Sequence, residues 1–149
     1  MMGRVLALVR RPDMSTTTTV NREQIEKLIR RINEAENARP TRTVEETIAA
    51  IDLLMAPGVE GWANGNHHLN RSAEREYERA LFGFLDDYHR DIERIVIEPP
   101  FASFAWHVTS VKHHLEISGC TIMEASDAGL TTRYWMYFDP APFAEMGLM

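Results

Sequence analysis

Residues 127–139 read Asp127-Ala-Gly129-Leu-Thr-Thr-Arg-Tyr-Trp-Met-Tyr-Phe-Asp139. Ser126-Asp-Ala-Gly129 is a turn, with glycine where the backbone needs positive φ. Leu130 to Phe138 is a strand: Tyr134, Met136 and Phe138 fall on one face and Arg133, Trp135 and Tyr137 on the other. The same period of two recurs upstream, in Asp91–Ile97, Phe101–Val111 and Leu115–Glu124, with Pro99-Pro100 turning the first of these into the second. Consecutive strands joined by short turns are antiparallel neighbours.

Ahead of the strands the period is helical. Asn21 and Gln24 form a capping box for a helix over about 22–36, with Ile25, Leu28, Ile29 and Ile32 on one stripe. Thr43 and Glu46 form a second box, followed by Val44, Ile48, Ile51 and Met55, and Pro57-Gly58 ends that helix. A short extended piece, Val59 to Gly65, and a loop rich in Asn and His, Asn64 to Asn70, lead to a third helix from Ser72, with Tyr77, Leu81, Phe84 and Tyr88 in a stripe. Helices segregated from strands along the chain give an α+β class.

Composition narrows the function. The chain has 149 residues, 22 acidic against 16 basic, net charge −6, and 44% apolar residues. One domain is expected, over 21–143, with a loose extension over 1–20 and a tail at 144–149. An acidic chain with no basic face is not expected to bind nucleic acid. The apolar run Val5–Val9 is too short for a secretory or membrane-spanning segment, so a cytoplasmic protein without membrane contact is expected. Cys120 alone excludes a disulfide framework or a cysteine zinc cluster. Six histidines (67, 68, 89, 107, 113 and 114) show no ligand spacing of the His-Glu-x-x-His kind, and no metal or other cofactor is expected.

The element order, with the segment ending in Gly129, Trp135 and Asp139, resembles the SnoaL-like branch of the nuclear transport factor 2-like superfamily. Its members end on a hairpin of the form Asp-Gly-x-Ile-x-x-x-Trp-x-x-x-Asp. The resemblance covers about residues 22–143 and implies a cone-shaped, curved antiparallel sheet packed on three N-terminal helices around an apolar pocket. It implies activities such as polyketide cyclisation, limonene-1,2-epoxide hydrolysis, ketosteroid isomerisation or dehydration, in which burial tunes carboxylates or histidines for acid–base work. Other relatives only bind or dimerise. In the cyclases and the epoxide hydrolase an acidic aspartate precedes the terminal aspartate by three positions, where this chain has Met136. An arginine and an aspartate of the epoxide hydrolases fall near His107 and Thr109.

The candidate catalytic residues are His107, Tyr134 and Asp139. His107 can serve as a base or acid near neutral pH, or be a satisfied polar group in the sheet. Tyr134 can donate to a substrate carbonyl, or simply pack. Asp139 can be a pocket carboxylate, or organise the turn before Pro140. Trp62, Tyr88, Ala105, Thr109, Met136 and Phe138 are expected to line the pocket. Trp106 and Trp135 are expected on the opposite, outer sheet face, where the resemblance implies a second subunit. The expected function is a small-molecule pocket protein performing proton transfer on an apolar substrate. The alternative is a non-catalytic homodimeric binding module.

Overall fold

The structure is a computed structural model and describes residues 19–65 and 67–147. Residues 1–18 of the expected extension lie outside the described residues. Val20 is already packed in the core, and the Thr19 amide donates to Asp127 Oδ1 at 2.8 Å.

Helix α1 (Arg22–Asn37) begins at the Asn21–Gln24 capping box and buries Ile25, Leu28, Ile29, Ile32 and Ala35. A single 3₁₀ turn, Arg39–Thr41, leads into α2 (Val44–Asp52), held by the Thr43–Glu46 box and burying Ile48 and Ile51. This helix stops before Pro57-Gly58. Met55 opens a strand instead, β1 (Met55–Ala63), and β2 (His67–Asn70) folds back on it where a loop was expected. Pro57 and Gly58 read as breakers in the sequence. The chain accommodates the proline by an irregularity in strand pairing between Met55 and Glu60.

Asn70 caps α3 (Arg71–Phe84), its side chain accepting from the Ala73 amide at 2.8 Å. The long strands follow: β3 (His89–Glu98), β4 (Phe101–Ser110), β5 (Leu115–Ala125) and β6 (Thr131–Phe138), then a short helix α4 (Ala141–Glu145). The Pro99–Pro100 peptide between β3 and β4 is cis.

The sheet runs β2-β1-β6-β5-β4-β3. Every neighbouring pair is antiparallel except β1 with β6, which is parallel, so the expected antiparallel sheet is a mixed one. Bulges between Ile92 and Arg94 and between Glu124 and Ala125 bend it, as extra residues on one strand do. The concave face carries Phe104, Trp106, Val108, Ile117, Met123 and Tyr134, against which the helices pack. Helix α1 is fastened to β3 near both ends: Arg22 Nη2 donates to the Ile97 carbonyl at 2.8 Å, and Asn33 and Asn37 meet Arg90. Asn33 and Asn37 both donate to the Arg90 carbonyl (3.1 and 2.8 Å), and the Arg90 amide donates to Asn37 Oδ1 at 2.7 Å.

Candidate active site

Two cavities lie side by side between the helices and the concave face. The first is walled by Leu81, Phe82, Trp106, Val108, Phe138 and Phe143, the second by Ile32, Ile51, Met55, Phe104 and Met123. They share Glu36, Glu74, Glu78, Arg90 and Met136. The partition between two apolar spaces is thus charged.

The helical period explains how these charges come to be inside. Glu74, Tyr77, Glu78 and Leu81 occupy i, i+3, i+4 and i+7 on one face of α3, so two glutamates take core positions. Arg71, one turn earlier, ties them. Its Nε donates to Asp52 Oδ1 at 2.6 Å, its Nη1 to Glu74 and to Glu78 Oε2 at 3.2 Å. From the other side, Arg90 enters on β3, with Nε donating to Asn33 Oδ1 at 2.8 Å and Nη2 standing 3.3 Å from Glu36 Oε2. The Tyr88 hydroxyl donates to Glu36 Oε1. Arg90 also lies over the Phe104 ring, 5.8 Å from its centre.

The cluster is not electrically balanced. Arg71 and Arg90 face three carboxylates, Glu36, Glu74 and Glu78, while Asp52 sits at the rim and is shared with the half-exposed Arg75. One excess negative charge in an apolar interior is expensive, and the protein meets that cost by keeping a proton. Burial is the largest cause pushing both carboxyls up, to about 7 for Glu74 and about 8 for Glu78; repulsion from neighbouring carboxylates adds to it and Arg71 opposes it. Burial, then Glu36, likewise holds the Tyr77 and Tyr88 hydroxyls neutral. Hydrogen bonding within the cluster is also incomplete: Arg71 Nη2 and Glu78 Oε1 lie 3.1 Å apart, yet neither has a hydrogen bond of good geometry, and Arg90 Nη2 has none either. A carboxyl pair that exchanges one proton near neutrality, beside an arginine with a spare N–H, is equipped for general acid–base work.

Of the residues singled out in the sequence, Tyr88, Tyr134, Met136 and Phe138 line this interior. The others do not join them. The phase of β4 is the reverse of the expected one: Trp106 faces the cavity, and Ala105, His107 and Thr109 face outward. Alternation separates two faces without saying which is inside. The bulkier set, Phe104, Trp106 and Val108, takes the core. His107 instead bonds Ser118 Oγ through Nδ1 at 2.8 Å, with Nε2 3.6 Å from Glu116. Trp62 stacks on Trp135 on the convex face, rings 5.4 Å apart and 10° from parallel. Asp139 accepts from the Ala141 amide at 3.0 Å and organises the start of α4. His107, Tyr134 and Asp139 therefore do not converge on one site.

Several solved structures share this architecture. A candidate SnoaL-like polyketide cyclase from Jannaschia sp. CCS1 is 13% identical, over 85% of this chain and 91% of that one, with a TM-score of 0.66. A candidate ketosteroid isomerase from Kribbella flavida is 20% identical, over 78% of each chain, with a TM-score of 0.59. A nuclear transport factor 2-like protein of unknown function from Cytophaga hutchinsonii is 12% identical, over 80% and 94%, with a TM-score of 0.60. The chain has the SnoaL-like fold of the nuclear transport factor 2-like class. Neither a family model nor a curated protein matches the sequence. The SnoaL-like fold supplies a concave interior, and what happens there is decided by its side chains. Among the described residues no three His, Cys, Asp or Glu side chains are placed to share a metal ion, and no helix is long and apolar enough to cross a membrane.

Proposed function

We propose that this protein binds an apolar small molecule in its interior and moves a proton on it, with the Glu74–Glu78 pair as acid and base and Arg90 as the electrophilic partner. The observation that carries this reading is the placement of one unbalanced, proton-holding carboxyl pair in the wall common to both cavities. A ligand long enough to use both spaces lies against that wall. With the pair deprotonated, a glutamate accepts a proton from carbon next to a carbonyl, and the Arg90 guanidinium stabilises the oxygen that gains charge. The pair then returns the proton, so no cofactor is needed. Titratable groups in an apolar pocket are how one fold is tuned for such chemistry, and the fold shared with a candidate cyclase and a candidate isomerase supports this reading.

The test is exchange of the acidic C–H protons of an apolar ketone, 2-tetralone, into deuterated water, followed by NMR. Exchange above the buffer rate is expected with the wild type, and its loss in Glu78→Gln and Glu74→Gln variants that still melt cooperatively. Wild-type exchange at the buffer rate across a panel of apolar ketones overturns catalysis.

A second feature favours a dimer as the working form. Aligned residues Val96, Ser103, Ile122, Trp135, Trp62 and His68 cross all six strands on the convex face. Val96 is 68% exposed and Ile122 38%, and Tyr137 beside them 45%. Val96, Ile122, Trp135 and Trp62, the apolar members of this row, are costly to leave in water, and a second copy of the chain would cover them.

A further inference from the structure

Thr131 opens β6, and a bulge decides where it points. Ala125 pairs with Thr131 but Glu124 pairs with Arg133, so Thr132 is an extra residue in the ladder. In a regular strand residues 131 and 133 share a face. The extra residue turns Thr131 inward, onto the face of Tyr134, while Arg133 stays outside. The bulge is fastened from outside: Thr132 Oγ1 donates to Glu124 Oε1 at 2.8 Å, and Arg133 Nε and Nη2 donate to the same carboxylate at 2.8 and 2.9 Å.

Thr131 so placed lines the second cavity and is 2% exposed, yet its hydroxyl has no hydrogen-bond partner. A buried polar group left unpaired is destabilising. Valine has nearly the same shape without that cost. A second hydroxyl faces the same space. Thr121 Oγ1 accepts from the Trp106 indole N–H at 2.9 Å, which leaves its own hydrogen available. The first cavity has neither threonine.

We propose that the second cavity is a ligand subsite for a neutral oxygen, a hydroxyl or carbonyl carried on an otherwise apolar frame, and that Thr131 determines this specificity. An anionic group would stand among Glu36, Glu74 and Glu78, which also line the space. A threonine hydroxyl both donates and accepts, matching a neutral oxygen of either kind. The inference rests on the reading of the interior as a ligand site. It adds a second polar anchor, separate from the group held at the charged partition.

The probes are 2-naphthol and 2-methylnaphthalene, equal in shape and differing in the hydroxyl, titrated by calorimetry. By hydrophobicity alone the methyl compound binds better. Wild type and Thr131→Ser are expected to prefer the naphthol by about tenfold, and Thr131→Val to lose that preference while holding the methyl compound as before. A preference that survives in Thr131→Val, a wild type that shows none, or failure of both probes to bind overturns the subsite. Higher thermal stability of Thr131→Val with no wild-type preference would mean that Thr131 serves only a water. The ketone exchange assay is scored separately. Exchange without a Thr131-dependent preference retains proton transfer and removes the subsite, and the converse result does the opposite.

Discussion

The indole of Trp106 lies across the backbone of Gly119, its partner on β5. A β-carbon at Gly119 would stand 2.3 Å from Trp106 Cζ2 and 2.4 Å from Cη2. The missing side chain is what lets the largest ring of the cavity wall lie against the sheet while its N–H reaches Thr121. The ring is buried and held by its bond to Thr121, so a shift into the cavity it faces gives up that bond. Gly119→Ala is expected to destabilise the protein by about 1–3 kcal/mol in denaturant unfolding and to shift the tryptophan emission. Gly83, exposed on α3 with open space around it, supplies the contrast: Gly83→Ala is expected to stabilise by about 0.5–1 kcal/mol. Equal effects at the two positions would remove the packing argument.

The raised carboxyls make stability depend on pH with a definite sign. In the folded protein Glu74 and Glu78 hold their protons to about 7 and about 8, whereas unfolded they release them near 4.5. Between those limits the native state binds more protons than the unfolded one, so stability falls as pH rises. Each proton contributes a slope of up to about 1.4 kcal/mol per pH unit. Glu45, Glu46, Asp87 and Glu124 are shifted down by hydrogen bonds, and they act in the opposite sense only below the ordinary carboxylate range. Melting temperature is therefore expected to fall from about pH 5 to about pH 8, with a flatter profile in Glu78→Gln. A wild-type profile that climbs over this interval would contradict the buried pair.

Arg71 is the cation on which that pair depends. Removing one member of a buried ionic cluster typically costs about 3–5 kcal/mol, because the remaining charges lose their partner. Arg71→Gln strips a partner from Asp52, Glu74 and Glu78 together. The loss is expected to approach the full range in denaturant unfolding at about pH 8 and to shrink at about pH 5, where protonation relieves Glu74 and Glu78. A pH-independent loss would mean that Arg71 contributes by packing alone.

Much of the fold was legible because its signals are local. The capping boxes at Asn21 and Thr43, the period of two from residue 91 onward and the turn at Gly129 each report on neighbours in the chain. The β1–β2 hairpin was legible only as the short extended piece Val59 to Gly65, within which β1 continues to Ala63. Its proline and glycines resemble a loop, and its place beside β6 is set by a parallel pairing across the molecule. The site was hidden differently. Glu74 and Glu78 occupy core positions of a helical stripe, a visible anomaly, but the eye follows Tyr77 and Leu81. The strand carrying His107 alternates cleanly, and only cross-strand packing says that Trp106 is the inward set. His107→Ala is accordingly expected to leave 2-tetralone exchange unchanged, and its loss there would restore the histidine to the site.

The convex face gives the last test. Trp135 stands in the middle of the apolar row, stacked on Trp62, with the Arg133 guanidinium 5.4 Å from its ring centre. Glutamate at this position puts a charge where two copies would meet and leaves the concave side untouched, since Trp135 lines neither cavity. The wild type is expected to elute as a dimer in size-exclusion chromatography with light scattering. Trp135→Glu is expected to be a folded monomer that retains the naphthol preference and the pH profile. Burying such a charge costs several kcal/mol, enough to dissolve an interface of ordinary size. A wild type that is monomeric at its highest attainable concentration leaves the row as plain surface, and the interior readings stand or fall without it.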